Sequence, residues 1–213
     1  GGGAVSRVEA VPETLGARCA GLGYRVAEKD PDYLYAVSDL VNLAGDGYKS
    51  QRASCNQFAR RYPIDVRPYD DLYRDGCERV LTQWVRQKRV ADMDDYAGAL
   101  LADAVPAHRE VWHQWKGLGL KGAVLLVEGT VCGYTFGYPR LPSVFCVLLE
   151  VANRDFPGAA QVLFREFCRM VAAEGYSLVN AMDDSGLRGI GDAKRHYHPV
   201  STIPSYILTE KGI

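Results

Sequence analysis

The chain has 213 residues, 47% of them hydrophobic and 24% charged, with 25 Lys plus Arg against 26 Asp plus Glu and a formal net charge of −1. This composition suits one large globular domain or one and a half, and excludes disordered, collagen-like and heptad-only architectures. The charge balance excludes a wholesale basic nucleic-acid binder but leaves room for a local basic patch. The longest apolar runs, such as Val124–Val127 and Val144–Leu149, fall far short of the ~20 residues a spanning helix needs. The opening Gly1-Gly2-Gly3-Ala4-Val5 lacks the charged and apolar regions of a signal peptide and has no initiator Met, so a trimmed chain is expected. The six cysteines, at 19, 55, 77, 132, 146 and 168, form no CxxC pair and no zinc-finger spacing. Buried, reduced thiols in a cytoplasmic protein are the expectation.

In chain order, Glu13–Leu22 predicts a short helix ended by Gly21 or Gly23, and an extended piece begins at Tyr24. Asp32–Ser38 alternates as a strand. Ser38–Leu43 opens a short helix with Ser38 or Asp39 as cap, and Gly45 and Gly47 break it. Ser50–Tyr62 predicts a helix carrying Arg52, Arg60 and Arg61, stopped by Pro63. Ile64–Pro68 is a short strand or linker. Leu72–Gln87 is a helix with Val80, Leu81, Trp84 and Val85 on its apolar side. Asp95–Asp103 and Pro106–Leu118 read as two further helices, the second with Pro in its first turn. Ala123–Val127 and Val131–Gly137 form a hairpin about Glu128-Gly129. Val144–Ala152 is a third strand, Gly158–Glu174 a long amphipathic helix, and Ser177–Ala181 a fourth strand. A polar loop and short helix at Asp184–Lys194 and a last strand at Ser205–Thr209 complete the pattern.

Helices, three antiparallel strands, then helix, strand, helix and strand define an α+β fold, a mixed, mostly antiparallel sheet flanked by helices. This order resembles the GNAT acyltransferase fold, in which a splayed pair of central strands holds the acyl donor. The GNAT loop that binds coenzyme A pyrophosphate reads Arg/Gln-x-x-Gly-x-Gly/Ala at a helix N-terminus. Here Asn153-Arg154-Asp155-Phe156-Pro157-Gly158 is one residue too long. Asp155 repels a pyrophosphate, and Pro157 removes an amide donor.

The densest polar stretch is Asn180–Pro199, which contains Asp183, Asp184, Arg188, Lys194, His196, Tyr197 and His198. A Lys near the end of a short helix can neutralise an oxyanion or phosphate, and paired carboxylates can orient an amine or take its proton. A solvated loop with capping aspartates is the plainer reading. His196 and His198, spaced i, i+2, suit a strand-like edge, and no third metal ligand is evident. Trp112 and Trp115 read as core, with His113 exposed or capping. Tyr33, Tyr35, Tyr134 and Tyr138 read as strand packing. Arg86, Lys88 and Arg89 read as a solvated helix face.

The segments Asp32-Tyr33-Leu34-Tyr35, Leu40–Gly45, Tyr48, Arg52, Asn56-Gln57-Phe58 and Tyr62-Pro63 resemble the phosphatidylglycerol lysyltransferase C-terminal domain family. So do Gly119–Val124, Leu149–Ala152, Gly158–Gln161 and Lys194 with Tyr197-His198-Pro199. The match runs from about Asp32 to Tyr206. The resemblance implies tandem GNAT-like domains that move an aminoacyl group from aminoacyl-tRNA to a hydroxyl or amine acceptor, without coenzyme A or metal. The acceptor it implies is a phosphatidylglycerol-type lipid head group or a small molecule.

Carried over by position, the resemblance implies catalytic roles for Lys194, Asp184 and Glu150, with Glu150 holding the α-amine of the aminoacyl group. It implies substrate contacts from Asn180, Asp183, Tyr197, Arg188 and Arg52. It further implies a cytoplasmic protein at the inner membrane face, with peripheral membrane contact and homo-oligomerisation open to it. Residues 1–45 are then the remnant of an N-terminal GNAT-like half, and residues 46–213 the acyltransferase domain. Three departures stand out. Ile190-Gly191 replaces the usual Leu-Arg, Ser50-Gln51 precedes Arg52 where lysines are common, and Ala181 replaces a common Arg. An acyl-CoA-dependent N-acyltransferase and a non-catalytic binding protein are the alternative readings.

Overall fold

A computed structural model of the chain describes residues 7–90 and 94–210. The opening Gly1–Val5 segment and the side chain of Arg89 lie outside the described residues. The chain divides into two compact units, one joining residues up to 34 with those from 181 onward, the other being Tyr35–Asn180.

The first unit contains β1 (Arg7–Val11), α1 (Glu13–Gly21), most of β2 (Arg25–Ala36), α7 (Arg188–Arg195) and β8 (Ser201–Thr209). Its strands pair antiparallel in the order β1-β8-β2. The β2–β8 register shifts between Lys29 and Asp32, opposite Ser205 and Ile203. Pro31 and Pro204 both fall in that interval. Neither has an N–H to give the ladder, so a bulge forms there. β1 was not expected. Only Val11 of its five residues is buried, so its pattern is too weak to announce a strand.

The second unit contains α2 (Val37–Asn42), α3 (Lys49–Arg61), β3 (Asp65–Pro68), a 3₁₀ turn at Asp71–Tyr73, α4 (Arg74–Val90) and α5 (Asp95–Gln114). It continues with β4 (Lys121–Val127), β5 (Thr130–Leu141), β6 (Val144–Ala152), α6 (Ala159–Ala173) and β7 (Leu178–Asn180). The strand order is β7-β6-β5-β4-β3. β6 and β7 run parallel and the other pairs antiparallel, the mixed sheet the sequence predicts. Glu128 and Gly129 have φ of 50° and 76°, the pair of left-handed residues a tight hairpin demands.

Side chains alternate across this sheet. Val124, Leu126, Tyr134, Phe136 and Val151 pack against Cys77, Val80, Leu81, Val111 and Trp112 of α4 and α5. On the other face, the missing Cβ of Gly133 leaves space for Leu163 of α6, and Phe145 meets Phe167 edge-on at 5.7 Å. The helices α2 and α3 pack on α6. Tyr134 also donates or accepts a hydrogen bond at 2.9 Å with Nδ1 of buried His108, whose burial lowers its pKa to about 4 and keeps it neutral.

Two expectations are corrected. Residues 95–114 form one helix with Pro106 inside it, not two. Val105, Val111 and Trp112 share one apolar face packed on the core, which outweighs the missing amide hydrogen bond. α2 starts at Val37, so neither Ser38 nor Asp39 is its cap. Val37 is buried and its amide already donates to the Ser177 carbonyl at 2.9 Å, which draws the start forward.

Trp112 is 2% exposed and rests on Tyr134 at 5.4 Å. Its indole N–H has no hydrogen-bond partner among the described residues. Trp112→Ala should therefore cost about 3–5 kcal/mol in urea denaturation, while Trp112→Phe, which removes the unsatisfied donor, should cost less than about 1.5 kcal/mol.

Candidate functional site

The sheet of the second unit opens beside Glu150. The parallel β6–β7 ladder joins Val144 to Leu178, Phe145 to Val179 and Cys146 to Asn180, and stops there. On its other edge β6 stays paired with β5 through Ala152. Glu150 lies on the stretch that has outrun β7, opposite Thr135. The residue as a whole is half-buried, yet its Oε2 is out of solvent reach and has no hydrogen-bond partner among the described residues. Burial alone pushes this carboxyl up to about 8. The Cys168 thiol of α6 is raised by its own burial and, next, by this carboxyl. Asn180, the last residue of β7, is fully buried.

The loop after β6 is occupied by the protein itself. Gly158 has φ +91°, and a Cβ there would collide with the Ser54 carbonyl of α3 and stand 3.1 Å from Cβ of Phe58. Phe156 meets Tyr62 of α3 edge-on at 5.4 Å. From α4, Gln83 and Gln87 donate to the Asp155 carboxylate, the latter at 3.2 Å. Asn153 donates to Oε1 of Gln83 at 3.0 Å and accepts from the Asp155 amide at 2.9 Å. A pyrophosphate at this helix start would meet a carboxylate and would have to displace α3 and α4.

The first unit gathers Asp183, Asp184 and Lys194. The Lys194 ammonium donates to three successive carbonyls, Ala181 at 2.7 Å, Met182 at 3.2 Å and Asp183, and lies 5.8 Å above the Tyr33 ring. An ammonium has three donors, so this cation fixes the turn in which Met182 and Ser185 take left-handed φ of 59° and 53°. Asp183, 4% exposed, pairs with Lys29 at 2.7 Å and accepts from the Ser185 amide at 2.7 Å. Burial pushes its carboxyl up, but Lys29 and that amide outweigh burial and hold it low. Burial likewise pulls the Lys29 ammonium down, and Asp183 and Glu9 more than offset this. Asp184 accepts from the Tyr33 hydroxyl at 2.7 Å, which raises the phenol, and Arg195 donates to that hydroxyl at 3.0 Å. Gly191 leaves room here, because a Cβ would press on Oδ2 of Asp184 and shift that carboxylate.

Sequence reasoning missed Lys29, Tyr33 and Arg195. Tyr33 reads as one more packing tyrosine, and Lys29 precedes the bulge that breaks the strand pattern. The other expected residues have these surroundings. Arg188 is 95% exposed, with Asp192 at 3.7 Å. Tyr197 is half-buried and its amide donates to the Lys194 carbonyl at 3.1 Å. In the second unit, Nη1 of Arg52 donates to the Leu43 carbonyl and to Gly45 at 2.9 Å, holding the bend after α2. His196 and His198 are not on a strand edge. His196 closes α7, its Nδ1 2.7 Å from the Asp192 carbonyl, and His198 takes a left-handed φ of 50°. Among the described residues, no helix is long and apolar enough to cross a membrane.

A mixed sheet flanked by helices, with a parallel central pair that splays, defines a GNAT-like acyltransferase fold. A GCN5-related N-acetyltransferase from Kribbella flavida shares it, with a TM-score of 0.50 at 9% identity over 97% of this chain and 68% of that one. The family described as "Phosphatidylglycerol lysyltransferase, C-terminal" matches residues 7–209, and the chain belongs to it. The structure of L-PGS from Bacillus licheniformis is similar, with 16% identity, a TM-score of 0.63 and coverage of 97% of this chain and 68% of that one. A conserved protein of unknown function from Bacteroides thetaiotaomicron is similar at 26% identity and a TM-score of 0.76, covering 96% and 69%. Among curated proteins, none matches the sequence.

Lys194→Met keeps the stem and removes the three donors. It should lower unfolding free energy by about 2–3 kcal/mol, read from urea midpoints, with Lys194→Arg costing less. Glu150 should shape stability against pH. Its folded pKa of about 8 stands above the ordinary carboxylate value of 4.5. Between these values the folded state holds a proton the unfolded state has released, so stability falls as pH rises from about 4.5 to 8. Glu150→Gln should remove that fall, gaining on the parent by up to ~1.4 kcal/mol per pH unit across this window in pH-resolved thermal unfolding.

Proposed function

We propose that the chain transfers an aminoacyl group from aminoacyl-tRNA to a hydroxyl or amine acceptor, with a phosphatidylglycerol-type lipid as the leading acceptor class. Family membership supports the reaction class. The observation that carries the reading is Glu150, a buried carboxyl with an unpartnered oxygen where β6 outruns β7. A buried acid without a counter-charge is stable only while protonated. An entering ammonium changes that balance and draws the proton off, so the position selects a cationic group over a neutral one.

The donor is already an activated ester, so no thioester carrier is required. The acceptor oxygen or nitrogen forms a bond to the ester carbonyl carbon. The bond from that carbon to the tRNA ribose oxygen breaks, and the acceptor proton ends on that ribose oxygen. Glu150 holds the α-ammonium and orients the ester. Within the first unit, Asp184 keeps Tyr33 as a hydrogen-bond partner, Arg195 donates to that same hydroxyl, and Asp183 is held by Lys29. Asn180 and Tyr197 contribute polar contacts, Arg188 offers an exposed cation to a phosphate, and Lys194 and Arg52 act by fixing backbone.

An acyl-CoA donor fits less well. Ser54 sits where a pyrophosphate would approach Gly158, and Asp155 faces the loop.

The test is single-turnover transfer from a panel of charged tRNAs to phosphatidylglycerol vesicles and soluble amines. Glu150→Gln should lose at least ~30-fold in kcat/KM, the scale of about 2 kcal/mol or more for removing one partner of a buried charge pair. Undiminished transfer by Glu150→Gln would reject the role of this residue. Transfer from acetyl-CoA and from no tRNA would reject the reading.

A further inference from the structure

Both sides of the loop 153–158 carry arginines with no acidic partner among the described residues. Arg60 and Arg61 are exposed on the last turn of α3, next to the Tyr62 ring that contacts Phe156. Arg154 is exposed on the loop itself. On α4, Arg79 and Arg86 are exposed and line a groove of about 530 Å³ with Glu78, Thr82 and Gln83. Arg79, Gln83 and Arg86 follow the i, i+4, i+7 spacing of one helix face. None of the five arginines enters an ion pair among the described residues.

The acids nearby are otherwise engaged. Glu78 pairs with Arg109, and Asp155 accepts from Gln83 and Gln87. Burial and the Arg154 charge both lower the Lys88 ammonium, the sign of a locally positive field. A chain with net charge −1 thus concentrates unneutralised cations at one loop.

We propose that this collar, with the α4 groove at its centre, binds the sugar–phosphate backbone of an RNA. The proposal rests on the reading of a charged RNA as aminoacyl donor and names where its backbone docks. The position suits that use. Asn153, bonded to Gln83 in the groove wall, is three residues beyond Glu150 on the same strand and loop. A backbone held at α4 therefore delivers a 3′ end towards the splayed strands. The residues lining the α4 groove are charged or polar types, Glu78, Arg79, Thr82, Gln83 and Arg86. Among the described residues, none of the large exposed apolar side chains lies on α4 or in the loop, whereas a bilayer-docking face pairs its cations with apolar insertion.

The test measures binding of 5′-labelled deacylated tRNA to the full chain by fluorescence anisotropy, across a potassium chloride series. Arg79→Ala/Arg86→Ala should weaken binding roughly tenfold or more, and should lower the slope of log Kd against log salt by about 0.7–0.9 for each phosphate no longer neutralised. Arg79→Lys/Arg86→Lys should restore most of both. Arg18→Ala/Arg25→Ala, on exposed positions of the other unit, should change neither. Equal affinity and slope for the α4 alanine variant and the parent overturn the proposal. So does unchanged tRNA binding combined with abolished binding to phosphatidylglycerol vesicles, which assigns the collar to lipid. Glu150→Gln, run in parallel, separates the two claims. If the α4 variant releases tRNA while no tRNA supports transfer by the parent, the docking surface stands and the donor assignment falls. If transfer occurs and the α4 variant binds and turns over as the parent does, only the docking surface falls.

Discussion

An ammonium inside a ring of consecutive carbonyls organises the first unit. The carbonyls of residues 181–183 converge because the chain turns through a left-handed Met182. Carbonyl dipoles brought together this way repel one another, and the Lys194 charge offsets the repulsion. With the turn held, Asp183 and Asp184 are sent to different partners, Lys29 for the first and Tyr33 for the second. A neutral side chain at 194 leaves those oxygens facing one another, so the geometry of both aspartates depends on one cation that itself need not meet a substrate.

Glu150 is the opposite case. Asp183 is buried and satisfied by a cation and an amide, and its carboxyl stays low; Glu150 is buried and has one oxygen with nothing to accept from, and its carboxyl rises to about 8. Two carboxyls of similar type are thereby driven to different protonation states by their surroundings, the usual way a protein assigns separate tasks to chemically equivalent groups. The isolated acid resists ionisation, and either a bound proton or a visiting positive charge relieves it.

Much of the fold was legible because long periodic segments dominate it. The boundaries of Val144–Ala152 match, and the Glu128-Gly129 hairpin follows from its turn residues. What failed was local. Pro106 reads as a helix start, yet the apolar face running through it keeps one helix intact. β1 carries too little pattern to be seen and exists because β8 offers it an edge. At the site, the acidic and cationic residue types were visible in the sequence, but their hydrogen-bond partners were not. That Lys194 faces backbone, that Arg52 does the same, and that Tyr33 is more than packing all depend on contacts between residues far apart in sequence.

The absent side chain at Gly191 shapes the space around Asp184. Here a side chain at 191 would intrude on Asp184 and come within 3.0 Å of the Arg195 guanidinium. Arg195 sits one helical turn further on and reaches back into the vacated space. The empty space beside Gly191 is what lets the Arg195 guanidinium reach the Tyr33 hydroxyl and the Asp184 carboxylate together.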